Sequence, residues 1–190
     1  ISNLLHLEKI ADFPQNRTYA QTNLMKQYYE NENFSDAVKY AQVVLNDAKV
    51  DDRIKLDAQL FIARSAIKTN NEAEAKKAYA ALQLTATGAL AAEATYYEAY
   101  FKNKENKFEA SNEVVQTLAF QYSGYKYYAS KGLLLMAKNF KAIDDNFNAK
   151  VILESLISNF SQFPDVVEDA KIELASLKEE AAKTNSSIQN

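Results

Sequence analysis

The sequence has no cysteine and no tryptophan, and only 3 glycines, 2 prolines and 1 histidine in 190 residues. Each scarcity excludes something. Without cysteine there is no disulfide, no thiolate nucleophile and no cysteine-ligated zinc. One histidine, His6, cannot supply a multi-histidine metal site and reads as a surface or packing residue. The glycines, Gly88, Gly124 and Gly132, are too scattered to form a loop that cradles phosphate. So few helix breakers leave little room for a turn-rich β protein and favour long helices. No apolar run reaches the roughly 18 residues that a spanning helix needs. The net charge of −3 gives no bulk attraction to nucleic acid or to anionic lipid.

The carboxylate pairs follow the same trend. Asp51-Asp52, Asp144-Asp145 and Glu179-Glu180 fall at helix starts, at turns or on a solvated face, where acids cap helices. None has the alternating oxygen-ligand spacing of a calcium loop. Asn16-Arg-Thr, Asn33-Phe-Ser and Asn159-Phe-Ser match the glycosylation triplet, but helix ends explain them better. The expectation is a chain with no catalytic residue, no metal and no cofactor.

What the sequence does have is a repeat. Small residues stand at Ala37, Ala75, Ser111 and Ala149, at intervals of 38, 36 and 38. Each is embedded in the same pattern of an apolar stripe at helical spacing, a short polar break and a second stripe. The first copy reads Leu24-Met25, Tyr28, Phe34, Ala37, Ala41 and Val44. The second reads Ile62-Ala63, Ala66, Ala75, Tyr79 and Leu82. The third reads Ala99, Phe101, Phe108, Ser111 and Leu118, and the fourth Met136-Ala137, Phe140, Ala149, Leu153 and Leu156. The breaks, Asn31-Glu-Asn, Thr69-Asn-Asn, Asn103-Lys-Glu-Asn and Asp144-Asp-Asn, put helix-stop and N-cap residues in succession and predict tight turns. Phe13-Pro14 recurs as Phe163-Pro164, 150 residues on, which is four periods.

A repeat period of about 20 to 50 residues, carried by paired helical stripes, marks an all-α solenoid of antiparallel helix hairpins. The predicted helices are 2–12, 17–31, 34–47, 52–69, 71–83, 88–104, 107–121, 125–143, 146–160 and 164–183. They group as one array over 1–183. It holds a partial unit at 1–14, repeats at 17–50, 52–87, 88–124 and 125–163, and a capping helix at 164–183, with 184–190 as a frayed tail. The last helix is expected to bury Val167, Ala170, Leu174, Leu177 and Ala181, and to turn Glu168, Asp169, Lys171, Glu179 and Glu180 to solvent. The chain opens as helix with no initiator methionine, so it reads as a piece of a longer protein.

The pattern resembles the tetratricopeptide repeat. Leu24-Met25, Tyr28, Phe34 and Ala37 match that family's marks, as do Met136-Ala137, Phe140 and Ala149. The second and third copies depart, with Ala66 and Lys102 where the family has tyrosine. The period is also longer than the family's roughly 34 residues. The stretches Ala91–Phe101, Tyr122-Ser-Gly-Tyr and Ile152–Phe160 are similar to the C-terminal arrays of large Bacteroidetes repeat proteins of the cell envelope. That likeness implies an envelope or periplasmic location, with the cytoplasm as the alternative.

The resemblance also implies a right-handed superhelix whose first helices line a concave groove for a partner protein or peptide. Carried over position by position, the groove would present Tyr19, Lys26, Tyr29, Arg64, Lys68, Tyr96, Tyr100, Asn103, Lys104, Lys131, Lys138 and Lys141. These residues are cations, tyrosines and one amide, with no acid. They would suit an acidic segment of a partner, with no nucleic acid and no membrane span involved. In tyrosine pairs such as Tyr28-Tyr29 and Tyr96-Tyr97, one ring is expected in the core and one outside. Two other readings stay open: a structural spacer or end cap of a longer repeat protein, and a carbohydrate- or peptidoglycan-binding module.

Overall fold

The computed structural model describes the backbone of residues 1–188 and the side chains of residues 1–183. It contains ten helices among the described residues and no strand there: α1 (Ser2–Ile10), α2 (Pro14–Glu30), α3 (Phe34–Asn46), α4 (Asp52–Lys68), α5 (Glu72–Gln83), α6 (Gly88–Lys104), α7 (Phe108–Gln121), α8 (Lys126–Ala142), α9 (Asn146–Asn159) and α10 (Pro164–Ile188). The class is the all-α, hairpin-repeat class that the sequence predicts. The chain divides into two compact units, Ile1–Ala86 and Thr87–Asn190. The first holds α1–α5 and the second α6–α10.

The hairpin turns explain the period. One residue in each turn has a left-handed backbone: Glu32 (φ 59°), Asn70 (φ 55°), Asn106 (φ 58°) and Asp144 (φ 60°). These positions repeat at 38, 36 and 38, the intervals of the small residues. A left-handed residue reverses the chain and lets the next N–H reach back to the helix it has left. Asn33 N donates to Tyr28 O (2.9 Å), Asn71 N to Ala66 O (2.8 Å), Lys107 N to Lys102 O (2.9 Å) and Asp145 N to Phe140 O (2.9 Å). In three turns the next residue also caps the new helix. The Asp36, Glu74 and Asn148 N–H groups donate to the side chains of Asn33, Asn71 and Asp145.

Small residues then set the distance between paired helices. Ala37, Ala75, Ser111 and Ala149 are all fully buried. Ser111 keeps its hydroxyl satisfied by donating to Ala99 O on α6 at 2.8 Å. In the first unit Leu24, Met25, Tyr40, Ala41, Val44 and Ile62 form a core, with Tyr28 stacked on Tyr40 at 5.6 Å. In the second unit one cluster joins α8, α9 and α10, and another joins α6, α7 and α8.

The structure differs from the expected map in three places. α2 starts at Pro14, because proline fits the first helical position, where its missing N–H would have had no partner. α10 runs to Ile188, past the end expected at 183, and Gln189 and Asn190 of the expected tail lie outside the described residues. Its buried face is Val166, Ala170, Leu174 and Leu177; Val167 is half-buried and Ala181 exposed. Val166 takes the place expected of Val167 because it continues the four-residue spacing from Ala170 and Leu174.

Candidate functional site

In the second unit α6, α8 and α10 pack side by side. They frame a cleft of about 370 Å³ lined by Tyr96, Tyr100, Asn103 and Lys104 from α6, Lys131, Leu134, Leu135 and Lys138 from α8, and Asp169 from α10. Six of the twelve groove residues read from the sequence therefore meet in one place: Tyr96, Tyr100, Asn103, Lys104, Lys131 and Lys138. The cleft volume falls within the range of sites that hold small ligands or a few side chains of a peptide.

The helical spacing produces the arrangement. Tyr96, Tyr100 and Lys104 lie four residues apart and form one stripe along α6. Lys131, Leu135 and Lys138, spaced by four and then three residues, form a second stripe along α8. The result is an aromatic wall, a floor that is apolar between two cations, and an acidic residue opposite.

The cations differ in what they already touch. Lys131 Nζ lies 4.7 Å from the Tyr96 ring centre and 5.6 Å from that of Tyr127. Burial holds its ammonium below the ordinary lysine range, an effect partly offset by Asp165, Glu93 and Asp169. Lys131 is thus held by rings and acids of its own unit. Lys138 pairs with Glu173 at 3.3 Å and Lys141 with Glu180 at 2.9 Å. Lys141 also donates to Ser176 Oγ at 2.8 Å. Lys104, the last residue of α6, is exposed and lies 5.8 Å from the Tyr100 ring centre.

The tyrosines are more enclosed than expected. Tyr96 is 9% exposed, and burial raises its hydroxyl pKa well above the ordinary value, with Tyr97 and Tyr100 adding to the effect. Tyr97 is half-buried against it at 5.1 Å. In the first unit Tyr28 and Tyr29 are both half-buried, so neither pair divides into one core ring and one outside ring. Tyr29 is held edge-on by Phe34 (5.5 Å) and Phe61 (5.1 Å).

The other groove residues of the first unit do not line this cleft. Tyr19 is 60% exposed and lines a separate cleft of the first unit with Pro14, Thr22, Val50 and Ile54. Lys26 on α2 and Arg64 on α4 are half-buried, and Lys68 is exposed at the end of α4.

Two features went unread in the sequence. One is an asparagine relay. Asn103 Nδ2 donates to Asn139 Oδ1 (2.6 Å), and Asn139 Nδ2 donates to Asn112 Oδ1 (2.8 Å). Asn139 is fully buried, so these bonds offset the cost of enclosing its amide. The other is Asp169, assigned to solvent from the sequence yet part of the cleft. Asp169 lies 38 residues after Lys131, one repeat interval, so the period itself could have placed it there. Glu180, also assigned to solvent, bonds Lys141 and accepts from Ser176 Oγ at 3.1 Å. Those bonds lower its pKa below the ordinary carboxylate value.

No cluster of three or more histidine, cysteine or acidic residues suited to a metal is present among the described residues. No helix there is long and apolar enough to cross a membrane. No family model matches the chain, and no curated protein matches it.

Proposed function

We propose that this chain is a non-catalytic interaction module of the tetratricopeptide-like kind, which holds a partner segment bearing acidic side chains in the cleft between α6, α8 and α10. The observation that carries the reading is the convergence there of Tyr96, Tyr100, Asn103, Lys104, Lys131 and Lys138. Tyrosine rings supply contact area at low entropy cost, and Lys104 and Lys138 supply charge at the mouth. Asn103 adds an amide with both donor and acceptor capacity.

Fluorescence anisotropy with labelled eight-residue peptides that carry at least four glutamates tests it. The full chain should bind in low salt, and added salt should weaken binding, because exposed charges are screened. Lys104→Glu with Lys138→Glu should reduce affinity by about tenfold or more, the loss expected when two attractive contacts become repulsive. Far-UV circular dichroism checks that the variant folds. Equal binding by variant and wild type would sink the reading and favour the spacer role, in which Lys138 and Lys141 serve only to dock α10.

A further inference from the structure

The asparagine relay of the second unit has a counterpart in the first. The left-handed turn residues Asn106 and Asp144 have their equivalents 74 residues earlier, at Glu32 and Asn70. The same step takes Asn103, Asn112 and Asn139 to Tyr29, Val38 and Ser65. In the second unit Asn139 fills its place with an amide that bonds Asn103 and Asn112. In the first, Tyr29 sets its ring against Phe34 and Phe61, and the Val38 side chain has nothing polar to offer. Ser65 is 1% exposed, and its hydroxyl has no hydrogen-bond partner among the described residues. A buried hydroxyl left so costs free energy that a ligand's polar atom would recover. Space for one is present: Phe34, Val38, Ile62, Ser65, Ala66 and Glu74 help to line a cleft of about 270 Å³.

We propose that this cleft of the first unit binds a glutamine side chain of a partner protein, its carboxamide taking the place that the Asn139 amide fills in the second unit. The carbonyl accepts from the Ser65 hydroxyl, and the amide nitrogen donates to the Glu74 carboxylate at the exposed rim. The two methylenes lie over Phe34, Val38 and Ile62 and give the reach that a buried Ser65 demands. Glutamate in the same pose would set its charge against Glu74. Lysine would bring a charge onto an apolar floor, with one exposed carboxylate to offset it. Methionine would fill the space and leave Ser65 unbonded. Neither Ser65 nor Glu74 lines the cleft between α6, α8 and α10.

The test uses tripeptides with alanine on either side of glutamine, glutamate, methionine or lysine. Each is acetylated and closed with an N-methyl amide, so that glutamine carries the one primary carboxamide. Titration into the full chain is followed by the methyl NMR signals of Val38 and Ile62. The glutamine peptide should move those signals and bind about fivefold more tightly than the other three, the scale of one hydrogen bond. Ser65→Ala removes the unbonded hydroxyl itself and so should fold, which circular dichroism verifies. It should weaken the glutamine peptide to the level of the methionine peptide and leave the latter unchanged. Glu74→Gln should narrow the gap between glutamine and glutamate. Equal binding of the glutamine and methionine peptides would overturn the proposal, as would tightest binding of lysine or glutamate. So would signals that no peptide moves, or a glutamine preference that survives Ser65→Ala.

Discussion

Glu32 occupies the left-handed position of the α2–α3 turn at φ 59°, where the other hairpins place Asn70, Asn106 and Asp144. Asparagine and aspartate tolerate that conformation because their short polar side chains bond locally, whereas glutamate gains nothing there. A Cβ costs about 1 kcal/mol or more in this region, and glycine has none. Glu32→Gly should therefore raise the unfolding free energy by about 1 kcal/mol, read from urea denaturation. No gain would mean that the Glu32 side chain contributes something the backbone argument omits. The sequence showed these breaks as turns, because Asn-rich stops and caps are visible in composition. Which residue turns left-handed was not visible, since that depends on the bond made by the following N–H.

At the scale of elements, the interval of the small residues located the helix contacts, and ten helices fell close to their expected ends. α7 and α8 show why packing outranks propensity. A Cβ at Gly132 would stand 3.0 Å from Leu118 Cδ2 and 3.2 Å from Val115 Cγ1. Alanine in mid-helix gains about 1 kcal/mol in propensity over glycine. Leu118 and Val115 are buried at 0% and 1% exposure and have little space to withdraw. Overpacking costs about 1–3 kcal/mol, so Gly132→Ala should lower the melting temperature despite the better helix former. A rise would show that α7 can shift away at little cost. The asparagine relay was illegible for a related reason. Asn103, Asn112 and Asn139 lie on three helices, and periodicity marks polar residues as outward unless their partners are known.

For the whole molecule, composition predicted helix throughout, and the division after Ala86 did not show because the repeat interval runs through it unbroken. Titration links the two units in one measurement. Tyr40 is buried against Glu8, which accepts its hydroxyl proton at 3.0 Å, and its pKa is pushed up to about 12 from 10.0. Tyr127 is raised as well, by burial and by its bond to Asp165, and Tyr96 more strongly by burial. Each group stays neutral when folded and ionises first when unfolded. Their stabilising effect is therefore complete below about pH 10 and is lost as pH rises toward the folded values. The urea midpoint should stay level to about pH 10 and then decline, with a shallower decline in Tyr40→Phe. An equal slope in that variant would remove Tyr40 from the explanation.

The left-handed turn residues recur at intervals of 38, 36 and 38, while Lys131 and Asp169, 38 residues apart, carry opposite charge into the same cleft. The left-handed turn recurs from hairpin to hairpin, while the side chains that line the cleft differ from helix to helix. A chain built this way keeps the residues that reverse its backbone separate from those that line its cleft. Successive copies become letters of an alphabet, and exchanging α10 alone would write a different word on an unaltered frame.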